Sequence, residues 1–210
     1  GQDRTFQAIL QEFSVIRVYS TEEMIDVCGQ LSSMAMSGLP LPQNQEVLIS
    51  TFGGGSGVIT TDQCVSAGLK VSRMSDAQMN ELKPHLTPLS SCFNPVDMTP
   101  GVMTHPEHRK KLPQAFSVMN QTTQYGAWLF MASGFGSLAP QLLQMLCDQR
   151  ASTQKTIVLT WQSMPSGLEE LLHSHHFYVF GDSARAVRTL ALICAYARSL
   201  ESPQRMATPT

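Results

Sequence analysis

Short apolar runs, each followed by a segment of helical periodicity, are the feature that most limits how this chain folds. Strands that are apolar on both faces and alternate with amphipathic helices form parallel sheets covered by helices on both sides. The pattern therefore predicts an α/β fold of three layers. The clearest apolar runs lie at 47–49, 127–132, 156–161 and 177–180, and weaker ones at 15–19 and 69–73 predict two further short strands.

A glycine-rich turn joins the first of these strong strands to its helix. A strand, a glycine-rich turn and a helix together point free main-chain N–H groups and the positive end of a helix dipole at an anion. We expect glycine here because the turn needs positive φ and because a ligand approaches where a Cβ would collide. The sequence predicts an anion site, although a tight turn that binds nothing has the same pattern. The predicted site consists of Gly53, Gly54, Gly55, Ser56 and Gly57.

Two other loops are expected at the same edge of the sheet. Ligands of open parallel sheets bind beyond the carboxyl ends of the strands. The segments 51–57 and 133–137 each follow a predicted strand, and the proline-rich stretch 84–106 contributes its part at 94–101. A long irregular loop inside a compact domain is more often functional than accidental. We therefore predict that these three segments meet around one site.

Two motifs together resemble the NDP-forming acyl-CoA synthetases, relatives of succinyl-CoA synthetase. One is the glycine-rich turn with Asp62 and Gly68-Leu69 downstream, and the other is Asn94-Pro95-Val96-Asp97. The segment 177–187 is similar to the end of that family's ligase domain. The resemblance implies a flavodoxin-like ligase-CoA domain over 45–200. It also implies an N-terminal helical and linker segment over 1–44 that packs on the domain, and a disordered tail over 201–210.

The resemblance implies a reaction and roles for particular residues. The family converts acyl-CoA, NDP and phosphate to acid, CoA and NTP through an acyl phosphate and a phosphohistidine. Gly53 to Gly57 would cradle the phosphoryl group at a helix amino terminus. Many relatives carry asparagine at the position of Phe52, and an apolar ring there argues against a small dicarboxylate substrate. The implied substrate-binding residues are Phe52, Asn94, Asp97, Ser133, Gly134 and Gly136.

The same resemblance implies that this chain needs partners. The family's histidine lies in a segment expected just before Gly1, and its CoA-binding and ATP-grasp domains are expected outside these residues. We therefore expect no catalytic residue, cofactor or metal within the chain, and no turnover by the chain alone. Phosphate and acyl-CoA are the expected ligands, with CoA, ADP or ATP and Mg in the full enzyme, which is expected in the cytoplasm. The resemblance leaves open whether the protein forms a homo-oligomer.

Composition excludes some classes of function and leaves two alternatives. Charged residues make up 14% of the 210 residues and the net charge is −2, so no basic field favours nucleic acid. No apolar run approaches the roughly 20 residues of a membrane span. The first alternative is a nucleotide- or flavin-binding Rossmann-like module. Asp76 would be the acidic residue of the dinucleotide-binding motif, but Thr60 stands where that motif requires its third glycine. The second is a regulatory CoA-ligase-like domain without turnover.

Overall fold

Five short parallel strands form one sheet in the computed structural model, which describes residues 2–201. The strands are β1 (Val47–Thr51), β2 (Val96–Asp97), β3 (Ala127–Ser133), β4 (Thr156–Gln162) and β5 (Val179–Phe180). Their order across the sheet is β2-β1-β3-β4-β5, and every neighbouring pair is parallel. This is the flavodoxin-like order, in which β2 is added on one side of β1 and β3, β4 and β5 are added in turn on the other side. The predicted three-layer, flavodoxin-like fold is confirmed.

The described residues contain ten α-helices. They are α1 (Gln2–Glu12), α2 (Thr21–Met36), α3 (Gly54–Ser66), α4 (Asp76–Leu82), α5 (Gly101–Thr104), α6 (Pro106–Arg109), α7 (Leu112–Gln121), α8 (Ala139–Arg150), α9 (Leu168–Ser174) and α10 (Ser183–Glu201). Ser75 and Asp182 stand directly before segments of helical pattern, which predicts helix caps, and both accept main-chain N–H bonds at helix starts. Gly1 and the predicted tail beyond 201 lie outside the described residues.

Two apolar cores lie on opposite faces of the sheet. On one face, Val47, Ile49 and Leu129 pack against α3 and α10. On the other face, Trp128 and Phe130 pack against α7 and α8. Alternate side chains of a strand point to opposite faces, so each central strand contributes to both cores. This double burial explains why the strands read as unbroken apolar runs.

The predicted strands at 15–19 and 69–73 are absent. Residues 69–73 contribute only an isolated bridge between Lys70 and Glu46. The edge of β1 beyond that bridge is occupied by the Asn94 side chain, which accepts from the Ile49 N–H and donates to the Val47 carbonyl. Because those main-chain groups already have partners, no strand can pair there. The strand that pairs with β1 on this edge is instead β2, which follows directly after Asn94 and Pro95.

The spacing of Met24, Val27, Cys28, Leu31 and Ala35 predicts one apolar buried face for α2, whereas the observed buried face also carries the polar residues Asp26, Gln30 and Ser33. Met24 and Cys28 are exposed, while Asp26 is only 2% exposed. Asp26 accepts two bonds from Arg185, at 2.6 and 2.9 Å, and one from the Tyr178 hydroxyl at 2.7 Å. Burial acts to raise the pKa of this carboxyl, but the hydrogen bonds from its partners outweigh burial and the pKa is lowered. The helix is therefore attached to the domain by charge as well as by apolar contact.

No helix between residues 2 and 201 combines the length and apolar character needed to cross a bilayer.

Candidate functional site

A cleft of about 620 Å³ opens at the carboxyl ends of β1, β3 and β4. It lies beside β1, where the order of the strands reverses. Open α/β sheets bind their ligands at such a switch point. The predicted residues Phe52, Gly53, Ser56 and Ser133 line it together. Further lining residues, which sequence analysis did not name, are Thr51, Pro100, Thr104, Met131, Ala132, Phe135, Leu138, Thr160 and Gln162. The three predicted loops therefore do meet around one cavity.

The start of α3 leaves three amides without partners inside the helix. Gly53 is the N-cap and provides no side-chain cap, and its own N–H donates to Thr51 Oγ1 at 3.1 Å. The Gly57 N–H donates to the Gly53 carbonyl at 3.3 Å, which is the first helical bond. The N–H groups of Gly54, Gly55 and Ser56 belong to the first turn, where no helical acceptor exists. Of the five predicted cradle residues, these three have the donors available for an anion.

Side-chain hydroxyls fix the shape of this helix start. Ser56 Oγ donates to the Gly53 carbonyl at 2.7 Å and lies 2.9 Å from Thr51 Oγ1. The bonds between Thr51, Gly53 and Ser56 close a small network around the turn. The amides of the first turn are therefore held in place before any ligand arrives, which is what electrostatic preorganisation requires.

Positive φ is not the reason for the glycines at 53–57, and that expectation was wrong. Gly53 is extended, with φ −154°, and none of the glycines in this segment has positive φ. Close approach is the reason at two positions. A Cβ on Gly57 would lie 3.2 Å from the Thr51 methyl group, and a Cβ on Gly54 would lie 3.0 Å from Asp97 Oδ2. Gly55 is different, because a Cβ there would meet nothing within 4 Å.

The left-handed conformations occur instead in the second loop, after β3. Gly134, Phe135 and Gly136 have φ of 61°, 72° and 48°. A left-handed conformation costs a non-glycine residue roughly 1–2 kcal/mol, so packing must hold Phe135 in place. Its ring makes an edge contact with Phe52, with the centroids 4.6 Å apart. Gly134 and Gly136 thus shape the loop and do not line the cleft, while Phe135 forms part of its apolar wall.

Asn94 and Asp97 occupy different environments. Besides its two bonds to β1, the Asn94 amide donates to the Ser72 carbonyl at 3.0 Å, and Asn94 does not line the cleft. We therefore assign Asn94 a structural role in place of the predicted contact with substrate. Asp97 Oδ1 accepts from the Thr99 N–H at 3.0 Å, and its other oxygen lies beside Gly54. Asp97 thus places a negative charge next to the first turn of α3.

The cleft itself is electrically neutral. No charged side chain from the described part of the chain lines it. Its wall is formed by Phe52, Met131, Phe135 and Leu138, with hydroxyl and amide groups between them. Thr160 and Gln162 stand at the carboxyl end of β4, a position that the rule for parallel sheets would have identified before the structure was known. The cleft offers an apolar wall next to the unpaired amides at the start of α3.

Two alternative kinds of site have little support in the structure. A dinucleotide site needs an acid at the end of the second strand, but 69–73 is not a strand and Asp76 is an exposed partner of Arg73. The other alternative is a metal site in the segment His105-Pro106-Glu107-His108, where the two histidine rings are 6.1 Å apart. Within residues 2–201, no three His, Cys, Asp or Glu side chains are grouped so that they could hold a metal ion.

Comparison with known proteins identifies relatives in sequence. Residues 47–110 match the Ligase-CoA domain family. The chain is 24% identical over 209 residues to the ADP-forming 4-hydroxybutyrate–CoA ligase of Nitrosopumilus maritimus, which covers 96% of this chain and 28% of that protein. It is 36% identical over 102 residues to the alpha subunit of ADP-forming acetate–CoA ligase I of Pyrococcus furiosus, covering 47% of this chain and 20% of that subunit.

Comparison with solved structures supports the fold. The acetyl-coenzyme A synthetase 1 of Ca. Korarchaeum cryptofilum superposes with a TM-score of 0.78 at 19% identity, over 96% of this chain and 43% of that one. Its complex with phosphate and ADP superposes with a TM-score of 0.77. The chain spans less than a third of the length of the curated relatives described above. The resemblance found in the sequence is confirmed: the chain is similar in sequence to ADP-forming acyl-CoA ligases, and residues 47–110 match the Ligase-CoA domain family.

Proposed function

We propose that this chain is the ligase domain of an NDP-forming acyl-CoA synthetase and that the start of α3 binds the phosphoryl group during transfer. The free amides of Gly54, Gly55 and Ser56 carry this proposal, because they are preorganised at a helix start whose Gly53 and Ser56 line an uncharged cleft. A phosphohistidine, CoA and a nucleotide with its Mg²⁺ would be supplied by CoA-binding and ATP-grasp domains or subunits of the same enzyme. The wall of Phe52 and Phe135 would face the acyl group.

Asp97 determines how strongly the lone domain can bind phosphate. A carboxylate beside the first turn stabilises the helix dipole and repels a second anion. A helix terminus contributes on the order of 1 kcal/mol to a nearby exposed anion, so we expect weak binding by this chain alone. In the full enzyme, a neighbouring domain would exclude water from the same contacts and strengthen them.

The test is turnover by the full-length protein that contains this chain. We expect formation of ATP or GTP from acyl-CoA, NDP and phosphate, with no turnover by the 210-residue chain. Stoichiometric release of free CoA, measured with a thiol reagent, should accompany NTP formation. A full-length protein that binds acyl-CoA but forms no NTP would support the non-catalytic alternative instead.

The neutral cleft predicts which acyl groups the enzyme accepts. A second carboxylate would be desolvated beside Phe52 and Phe135 without a cation to pair with it. We therefore expect kcat/KM for butyryl-CoA or phenylacetyl-CoA to exceed that for succinyl-CoA by at least about 100-fold, as an unpaired buried charge costs several kcal/mol. Competition between two acyl-CoA substrates in one reaction measures this ratio. Equal use of succinyl-CoA would show that the acyl group does not lie against this wall.

A further inference from the structure

Lys155 is a buried cation that the proposed reaction does not use. It lies immediately before β4, at the amino ends of the strands and thus at the opposite edge of the sheet from the cleft. The residue is only 4% exposed, and its ammonium group donates to the Asn120 carbonyl. Within residues 2–201 it has no carboxylate partner at ion-pair distance. Burial lowers the pKa of Lys155 to about 8, so the side chain still carries a charge at neutral pH.

Lys155 lines a cavity of about 360 Å³. Lys155 is the one charged side chain among the described residues that line it, and the other lining groups include Thr123, Ser152 and Gln154. Asn120 also lines the cavity and is 8% exposed. Its Nδ2 donates to the Gln149 carbonyl at 3.2 Å, whereas its buried Oδ1 has no hydrogen-bond partner.

Two residues that line one cavity therefore each have an unmet requirement. A buried ammonium group with no counter-ion is costly, and so is a buried acceptor with no donor. A fully deprotonated anion would satisfy only the ammonium group. An oxyanion that keeps one proton satisfies both, because it offers acceptor oxygens to the cation and an O–H to the amide oxygen.

We propose that this cavity binds a protonated phosphate group, with Lys155 Nζ donating to phosphate oxygens and the phosphate O–H donating to Asn120 Oδ1. The ligand would join the end of α7 to the start of β4. It would be separate from the phosphoryl group at α3, and the proposal stands whether or not the chain belongs to an active synthetase. Inorganic phosphate and a phosphomonoester share this chemistry.

Amide chemical shifts of the 210-residue chain at pH 6.5 test the site, with inorganic phosphate, sulfate and AMP as probes. We expect saturable shifts at Thr123, Ser152 and Gln154 with phosphate. Sulfate has no proton to donate at this pH, so its affinity should be about tenfold lower or worse. Shifts with AMP as strong as those with phosphate would identify a phosphomonoester as the ligand, and weaker ones would identify free phosphate.

Matched lysine variants assign the effect to Lys155. Lys155→Met should abolish the shifts at Thr123 and Gln154, while Lys70→Met, at an exposed lysine, should leave them unchanged. Absence of saturable shifts at these amides in the unmodified chain, or equal affinity for phosphate and sulfate, would overturn the proposal without depending on any variant. Shifts confined to Gly54, Gly55 and Ser56 would also overturn it, and would leave the proposed function intact.

Discussion

Replacing Arg150 with methionine is expected to destabilise the domain by about 3–5 kcal/mol, the usual cost of removing one member of a buried, hydrogen-bonded charge system. The guanidinium group is 8% exposed, and it donates to the carbonyls of His175, His176 and Ser33 and to the Ser33 hydroxyl, at 2.8–3.1 Å. It also stacks over the Phe177 ring, 4.1 Å from the centroid. Burial lowers the pKa of Arg150 to about 10, so the group is still charged at neutral pH.

The effect is large because one side chain joins three parts of the fold. Arg150 ends α8, Ser33 lies on α2, and His175 and His176 precede β5. Methionine fills part of the space but leaves buried carbonyls without donors. Urea unfolding followed by circular dichroism measures the loss. Arg188→Met is the matched control, because Arg188 is 57% exposed and makes a single 3.5 Å contact with Glu23. Equal midpoints for the two variants would show that the Arg150 network contributes little.

Replacing Gly55 with proline is expected to slow phosphoryl transfer in the full-length enzyme by roughly 100- to 1000-fold, the usual cost of removing one preorganised donor. Proline is tolerated in the first helical turn, where its missing N–H has no helical acceptor. Gly54 precedes it and has no Cβ to clash with the proline ring. The change therefore removes one amide of the proposed cradle and leaves α3 in place.

Gly55→Ala is the matched control for that variant. A Cβ at this position meets nothing within 4 Å, and alanine keeps the amide. We expect its rate to stay within a few-fold of the unmodified enzyme, and both variants to unfold at similar urea concentrations. Quenched-flow formation of the acid-labile phosphoenzyme from NTP measures the step. Equal rates for proline and alanine would remove the Gly55 N–H from the mechanism.

The central strands could be predicted from the sequence because their burial on both faces makes each of them a continuous apolar run. The strands β1, β3 and β4 are apolar on both faces, and neither their register nor their partners is needed to recognise them. The caps at Ser75 and Asp182 were equally local, since each acts on residues within the next turn. The convergence of the loops at the cleft followed from the topology of parallel sheets alone.

Features that depend on distant partners escaped sequence analysis. The buried face of α2 carries Asp26, whose partner Arg185 is 159 positions away, so no local periodicity could identify it. β2 has only two residues and follows a proline, so it carries no strand signal. The Asn94 side chain takes the place of a neighbouring strand by bonding to main-chain groups of β1, and secondary-structure propensities do not describe such a contact. Phe135 appeared to be an ordinary loop residue, but its left-handed conformation brings its ring against Phe52.

A phosphate titration of the 210-residue chain shows whether the first turn of α3 binds a phosphoryl group. Amide shifts should be recorded for the unmodified chain, Gly55→Ala and Gly55→Pro. We predict saturable shifts at Gly54, Gly55 and Ser56 with weak affinity, unchanged affinity in Gly55→Ala, and a clear loss of affinity in Gly55→Pro. If the shifts of these amides do not change while phosphate changes those of others, the glycine-rich segment is only a turn and does not bind the phosphoryl group.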